Sequence, residues 1–130
     1  MKRLVIALLV LVVAGTAGIV EARRPAWQLI GKKSVTDRVD RDVITVTGAR
    51  GQWTALRFAV RTRAVEFRSV RLIYANGTSE SLPLQGVIRA GGDSRIFDLK
   101  GGGRTIQRIE LRYDAKSLGG KAVVKVFGRR

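Results

Sequence analysis

The chain is 130 residues long and carries 25 Lys and Arg against 10 Asp and Glu, a formal net charge of +15, with neither cysteine nor histidine. The missing cysteines exclude a disulfide framework, a thiol nucleophile and a thiolate metal site. The missing histidines remove the commonest metal ligand and the usual neutral-pH general base, which leaves carboxylates, Lys and Tyr for any catalysis.

Residues 1–22 read as a secretory signal. Lys2 and Arg3 form a charged start, Leu4 to Val13 an unbroken apolar run, and Ala14 to Gly18 a small-residue stretch ahead of Val20-Glu21-Ala22. Signal peptidase pockets are shallow and take small side chains, so cleavage is expected after Ala22, leaving residues 23–130 as a periplasmic or secreted domain. The alternative is an uncleaved membrane anchor, because Leu4 to Val20 reaches the lower limit of the roughly 17 to 25 residues that span a bilayer. No second apolar stretch follows, so no transmembrane segment is expected once the signal is removed. Residues 1–22 hold only Lys2, Arg3 and Glu21 among the charged groups, so the net charge falls only from +15 to +14 without them. The positive charge therefore belongs to the folded part, whose length suits one domain with one core.

Past the signal, apolar residues recur with period two, which sends successive side chains to opposite faces of a strand. Trp27 to Ile30 is the first predicted strand, with Trp27 expected to plug one end of the core beside Leu29 and Ile30. Asp37, Asp40 and Asp42 then form the one acidic cluster. Asp40 and Asp42 point to the same side of an extended segment, and hard cations such as calcium draw oxygen ligands from loops of this kind. Arg38 and Arg41 stand among these carboxylates, so local charge neutralisation is the plainer account. The three are weak metal candidates, and no cofactor is expected. Val43 to Thr47 is the next strand. Trp53 follows the Gly51-Gln52 turn, where an exposed ring would favour stacking on a sugar.

Leu56, Phe58 and Val60 share one strand face opposite Arg57 and Arg61, and Val70, Leu72 and Tyr74 repeat the arrangement opposite Arg71. Asn76-Gly77 predicts a two-residue hairpin turn of type I′, both of whose central residues need positive φ. Val87 to Arg89 and Arg95 to Leu99 are short strands around Gly91-Gly92-Asp93-Ser94. There Arg89 and Arg95 flank a tight turn that Asp93 or Asp98 is expected to pin by pairing with an arginine. Gly101-Gly102-Gly103-Arg104-Thr105 lacks the spacing of a phosphate-binding P-loop and reads as a strand connection. Ile109, Leu111 and Tyr113 oppose Arg108, Glu110 and Arg112. In Ala122 to Phe127, Val124 and Val126 face one way and Val123 and Phe127 the other, as in a strand covered on both sides. Many short strands, punctuated by glycine turns and with no helical periodicity past residue 25, predict an all-β antiparallel sandwich of jelly-roll or immunoglobulin-like type.

Several of these segments together carry a resemblance. Trp27-x-Leu29-x-Gly31, Asp40-Arg41-Asp42-x-Ile44-x-Val46, Leu56-Arg57-Phe58, Tyr74-x-Asn76-Gly77, Arg89-Ala90-Gly91-Gly92-x-Ser94-Arg95 and Asp98-Leu99 resemble a family of small exported bacterial proteins described only as a domain of unknown function. The resemblance covers nearly all of residues 26–128, with its most specific part at Arg89 to Leu99. It implies export and a β-sandwich, and it brings no activity and no catalytic residues.

The function expected from the residues is that of a non-enzymatic envelope module binding an anionic surface polymer, a lipid headgroup or an acidic protein. Its candidate residues are Arg57, Arg61, Arg68, Arg71, Arg108 and Arg112, with Arg89 and Arg95 beside the tight turn. Guanidinium groups pair bidentately with phosphate, sulfate and carboxylate. The strands around Arg57 to Arg71 are expected to be neighbours, with Arg108 and Arg112 on a third. The plainer account is a solvated face of cross-strand pairs with Glu66 and Glu110. Nucleic acid is disfavoured, since export carries the chain away from it and Phe58, Tyr74, Tyr113 and Phe127 are all placed on core faces rather than as exposed stacking platforms. The competing expectation is an enzyme acting on envelope carbohydrate with Asp40 and Asp42 as its carboxylate pair.

Overall fold

The computed structural model describes residues 26–36, 41–46, 51–115 and 121–130. The signal segment, Asp37 and Asp40 lie outside the described residues. Within them are the strands β1 (Gln28–Thr36), β2 (Arg41–Thr45), β3 (Ala55–Arg61), β4 (Val65–Tyr74), β5 (Ser79–Leu82), β6 (Gly86–Ile88), β7 (Phe97–Asp98), β8 (Ile106–Ala115) and β9 (Lys121–Arg129), and no helix. They form two antiparallel sheets, one in the order β1-β9-β3-β7 and the other in the order β2-β8-β4-β5, with β6 also on β4. The chain is thus a β-sandwich, as its alternation predicts.

The core lies between the sheets because each central strand turns alternate apolar side chains inward. Leu56, Phe58 and Val60 of β3 and Val124 and Val126 of β9 meet Phe67, Val70 and Leu72 of β4 and Ile109, Leu111 and Tyr113 of β8, all essentially inaccessible to water. Phe58 packs edge-to-face against Phe67 across the sandwich and against Phe97 of β7, with ring centroids 6.4 and 6.1 Å apart.

A bulge restores this alternation where the sequence breaks it. Phe67 and Val70 are three residues apart, yet both face inward, because β4 slips register against β8 between Phe67 and Ser69 and leaves Arg68 as an extra residue on the bulge. On the other side of β4 the edge is made of two collinear pieces, β5 beside Val70–Ile73 and β6 beside Val65–Phe67. They are separated at Pro83, which lacks an N–H to donate to a ladder and is tolerated at an edge.

Three local expectations are corrected. The Asn76-Gly77 turn is one residue longer than a type I′ loop: Gly77 N–H donates to Tyr74 O, Tyr74 N–H donates to Thr78 O, and only Gly77 has positive φ. This is a type I turn closed by a glycine bulge. The Asn76 side chain favours it by accepting from the Thr78 N–H and hydroxyl at 3.1 and 2.6 Å. Second, β9 is not covered equally on both sides, since Val123 and Phe127 are only half-buried on its outward face. Third, β3 and β4 are joined by three residues but lie in opposite sheets. Thr62, at φ 78°, turns the chain there, and Arg63 N–H donates to Arg61 O at 2.9 Å. That is a γ-turn of the strained positive-φ kind, and it sends β4 across the sandwich rather than alongside β3.

Candidate functional site

Because β3 and β4 part company, the arginines do not form one surface. Arg57 and Arg61 lie on the outer face of the β1-β9-β3-β7 sheet, whereas Arg68, Arg71, Arg108 and Arg112 lie on the outer face of the opposite sheet, where β4 and β8 adjoin.

On the second face, carboxylates answer most of the cations. Arg108 pairs with Glu110 at 3.3 Å and Arg68 with Asp114 at 3.5 Å. Arg71 stands across the ladder from Glu110 and donates to Ser79 Oγ at 3.0 Å. Glu66 stands on the same side of β4. Much of this face matches the plainer account of a solvated surface with cross-strand pairs.

The first face is different. The outward residues of β1, β9 and β3 bring Lys32, Lys121, Lys125, Arg129, Arg57 and Arg61 together, with Asp93 and Asp98 as the acidic groups along the β7 side. Aromatic rings hold part of this charge in place. The Arg57 guanidinium carbon lies 5.2 Å from the centroid of Trp27 and 5.3 Å from that of Phe127, and the Arg129 guanidinium lies 4.7 Å from Trp27. Each such contact is worth about 0.5–1 kcal/mol at an exposed site and fixes the direction of a side chain that would otherwise sample many rotamers. Arg57 Nε is buried there with no hydrogen-bond partner. Leu29, 50% exposed, extends the ring patch along the register row Leu29–Phe127–Arg57.

The placement of Trp27 is corrected, and the open question at Trp53 is decided in favour of the core. Trp27 is half-buried on this outer face instead of in the core. Trp53 is 1% exposed and fills the core end, its ring so close to Gly128 that a Cβ there would approach Cε3 to 2.7 Å. Phe127 also belongs to the outer face, against its expected core placement.

The Arg89–Leu99 block seals an edge. Gly92 N–H donates to Arg89 O, closing a turn in which Gly91 has φ 84°. The segment then runs beside β3: Gly91 N–H donates to Val60 O, Val60 N–H to Gly92 O, and Ser94 N–H to Phe58 O. Ser94 Oγ accepts from Phe58 N–H at 2.9 Å and donates to Arg95 O. Asp93 faces Arg57 and Arg61, each at 3.6 Å, and so pins the turn to the cationic face as expected of this aspartate. Arg89 is exposed, and Arg95 lies over Phe97 with its guanidinium carbon 4.5 Å from the ring centroid, so the turn does not gather these two into one site.

Asp42 is placed at the seam between the sheets. Its side chain is only 17% exposed; Tyr113 Oη donates to it at 3.2 Å and Lys33 Nζ lies 3.4 Å away. Among the described residues no group of acidic side chains is placed to hold a metal ion.

At the hairpin end of the sandwich, Tyr74 Oη donates to Glu80 at 2.5 Å, and Arg104 stacks on the Tyr74 ring at 3.7 Å while donating to Lys100 O and Thr78 Oγ1. Burial holds the Tyr74 phenol well above its ordinary value near 10; the hydrogen bond to Glu80 and the charge of Glu80 act in the same direction, against the charge of Arg104. These contacts tie the Gly101–Gly103 connection to the β4–β5 hairpin.

Comparison with solved structures agrees with the sandwich. AlgX from Pseudomonas aeruginosa is similar at a TM-score of 0.56 and 15% identity, over 79% of this chain and 26% of that one, so the chain spans about a quarter of its length. A family 29 carbohydrate-binding module complexed with cellulohexaose follows at 0.41 and 11%, over 79% and 80% of the two chains. A structure of infectious bursal disease virus, Gx strain, follows at 0.39 and 15%, over 80% and 32%. At these identities the likeness to AlgX is one of fold. No curated protein matches the chain. The family model of DUF2541 matches residues 4–128, and the chain belongs to that family, described as a domain of unknown function.

Proposed function

We propose that this chain is an exported, non-enzymatic binding module for an anionic polymer of the cell envelope, and that the outer face of the β1-β9-β3-β7 sheet is its binding surface. The observation that carries this reading is the guanidinium of Arg57 held between Trp27 and Phe127, with Arg129 on the same indole. Aromatic stacking orients both arginines, so a ligand oxyanion meets cations whose conformational freedom is already reduced. Six cations against Asp93 and Asp98 give the face a net positive field, which draws in polyanions from solution. Three strand spacings make it about 14 Å across, a width suited to an extended chain lying over the strands. Export rests on the Lys2 to Ala22 pattern. A carbohydrate-active enzyme built on Asp40 and Asp42 is less well supported, because the Asp42 carboxylate is engaged by Tyr113 and Lys33.

The experiment is equilibrium binding to heparin, taken as a model polyanion, across a range of NaCl concentrations. The affinity is expected to fall steeply with salt in the native chain, and the slope is expected to be shallower in Arg57→Ser/Arg129→Ser. Affinity indifferent to salt and to these substitutions would remove the proposal.

A further inference from the structure

We propose a second, smaller anion site on the opposite face: Arg41 and Arg112 form a clamp for a single phosphoryl oxyanion. The ladder between β2 and β8 places the two residues directly across from one another, with side chains on the same outer face. Like charges in that relation destabilise a sheet. Elsewhere on this face a carboxylate relieves the repulsion, as Glu110 does for Arg108 and Asp114 for Arg68. Among the described residues, no carboxylate lies within ion-pairing distance of either Arg41 or Arg112.

Among the described residues, the acidic groups on the neighbouring ladder positions are already engaged. Asp42 turns to the seam, where Tyr113 and Lys33 hold it, and Glu110 is paired with Arg108. The two arginines border an open depression of about 560 Å³, also lined by Lys33, Asp42, Val43, Glu110 and Leu111. This is ample for one tetrahedral anion. Two planar guanidinium forks approaching from adjacent strands can each offer paired N–H donors to a phosphoryl group, an arrangement that lysines would not reproduce. A bound oxyanion supplies the missing counter-charge and converts a cross-strand repulsion into a bridge. This site is independent of the aromatic face, which lies on the other sheet.

The test is thermal denaturation of the full chain in sodium phosphate against sodium chloride of equal ionic strength. The melting temperature is expected to be about 4 °C or more higher in phosphate once it stands at about five times its dissociation constant. Arg41→Ser/Arg112→Ser is expected to lose that difference while melting no lower than the native chain in chloride. Arg57→Ser/Arg129→Ser, on the other face, is expected to keep it. Arg41→Lys/Arg112→Lys guards against misfolding of the serine variant, since it retains the charge but is expected to lose most of the difference. A parallel arm measures co-sedimentation with phosphatidylglycerol vesicles. If only vesicle binding depends on Arg41 and Arg112, the phosphoryl group belongs to a lipid headgroup; if the melting temperature responds, free phosphate suffices. A phosphate response that survives in Arg41→Ser/Arg112→Ser would overturn the clamp. So would equal melting in both salts together with vesicle binding unchanged by the substitutions.

Discussion

Arg57 lies over the face of Trp27, its guanidinium carbon 5.2 Å from the ring centroid, and the same indole also supports Arg129. Trp27 therefore acts on the surface as an organiser of charge. Trp27→Ala removes two cation–π contacts of about 0.5–1 kcal/mol each. It is expected to weaken heparin binding by about five- to thirtyfold while costing the fold less than Trp53→Ala. Fluorescence-detected binding and urea unfolding of the same variant read the two effects separately.

Asp93 competes with any ligand for Arg57 and Arg61, since it faces both at 3.6 Å. Asp93→Ala is expected to raise heparin affinity. Because these ion pairs are partly exposed, the same change is expected to lower stability by no more than about 1 kcal/mol. Affinity that falls in Asp93→Ala would show that the carboxylate orders the arginines more than it screens them.

Trp53 fills the core end against Gly128 and Ile30, with an exposure of 1%. Trp53→Ala is expected to cost about 3–5 kcal/mol. Gly128→Ala forces a Cβ to within 2.7 Å of the indole and is expected to cost about 1–3 kcal/mol by overpacking. Urea denaturation midpoints measure both.

The phenol of Tyr74 gives stability a specific alkaline dependence. Burial, and after it the hydrogen bond to Glu80, raises its pKa above the ordinary value near 10, so the folded state keeps a proton that the unfolded chain gives up. The contribution is fully present below pH 10 and is lost progressively as pH rises through the higher folded value, at up to about 1.4 kcal/mol per pH unit. Tyr74→Phe is expected to flatten the decline of unfolding free energy between pH 10 and 12. An equally steep decline in Tyr74→Phe would assign the loss to other groups.

Thr62 takes φ 78°, a conformation that costs a β-branched residue free energy and that glycine adopts without strain. Thr62→Gly is expected to leave stability unchanged or raise it by up to about 1 kcal/mol, the relief of strain offsetting the added freedom of the unfolded chain. A loss of more than 1 kcal/mol in urea unfolding would mean that the threonine side chain itself supports the crossing between sheets.

That crossing marks the boundary of what the sequence discloses. Alternation along Leu56–Val60 and Ile109–Tyr113 is a local property of each strand, and it correctly assigned the inward faces of β3 and β8. That β4 leaves the sheet of β3 is marked locally by a positive φ at Thr62, a residue type with no turn preference to reveal it. The separation of the arginines onto two faces accompanies that crossing. The outer placement of Trp27 and the buried one of Trp53 have a similar cause. β1 slips register between Leu29 and Gly31, so Ile30 faces inward while Trp27 and Leu29 stay outside. Trp53 meets its partner Gly128 only after β9 has joined the sheet. The phase of Phe127 against Val124 and Val126 set it on the opposite side of β9, but that this side is the outer face and carries Arg57 needed the β3–β9 register. The Asn76-Gly77 signal located the hairpin correctly, while loop length was set by the Asn76 side chain bonding to Thr78.

Polyanion binding on the Trp27 face, as against the opposite sheet, is directly measurable. Two triple variants, Arg57→Ser/Lys125→Ser/Arg129→Ser and Arg68→Ser/Arg71→Ser/Arg108→Ser, remove the same formal charge from opposite sheets and can be compared on immobilised heparin in one NaCl gradient. The first is expected to elute at markedly lower salt than the native chain, with the second close to native. Equal displacement of both would show retention to follow net charge alone and would contradict a built site around Trp27.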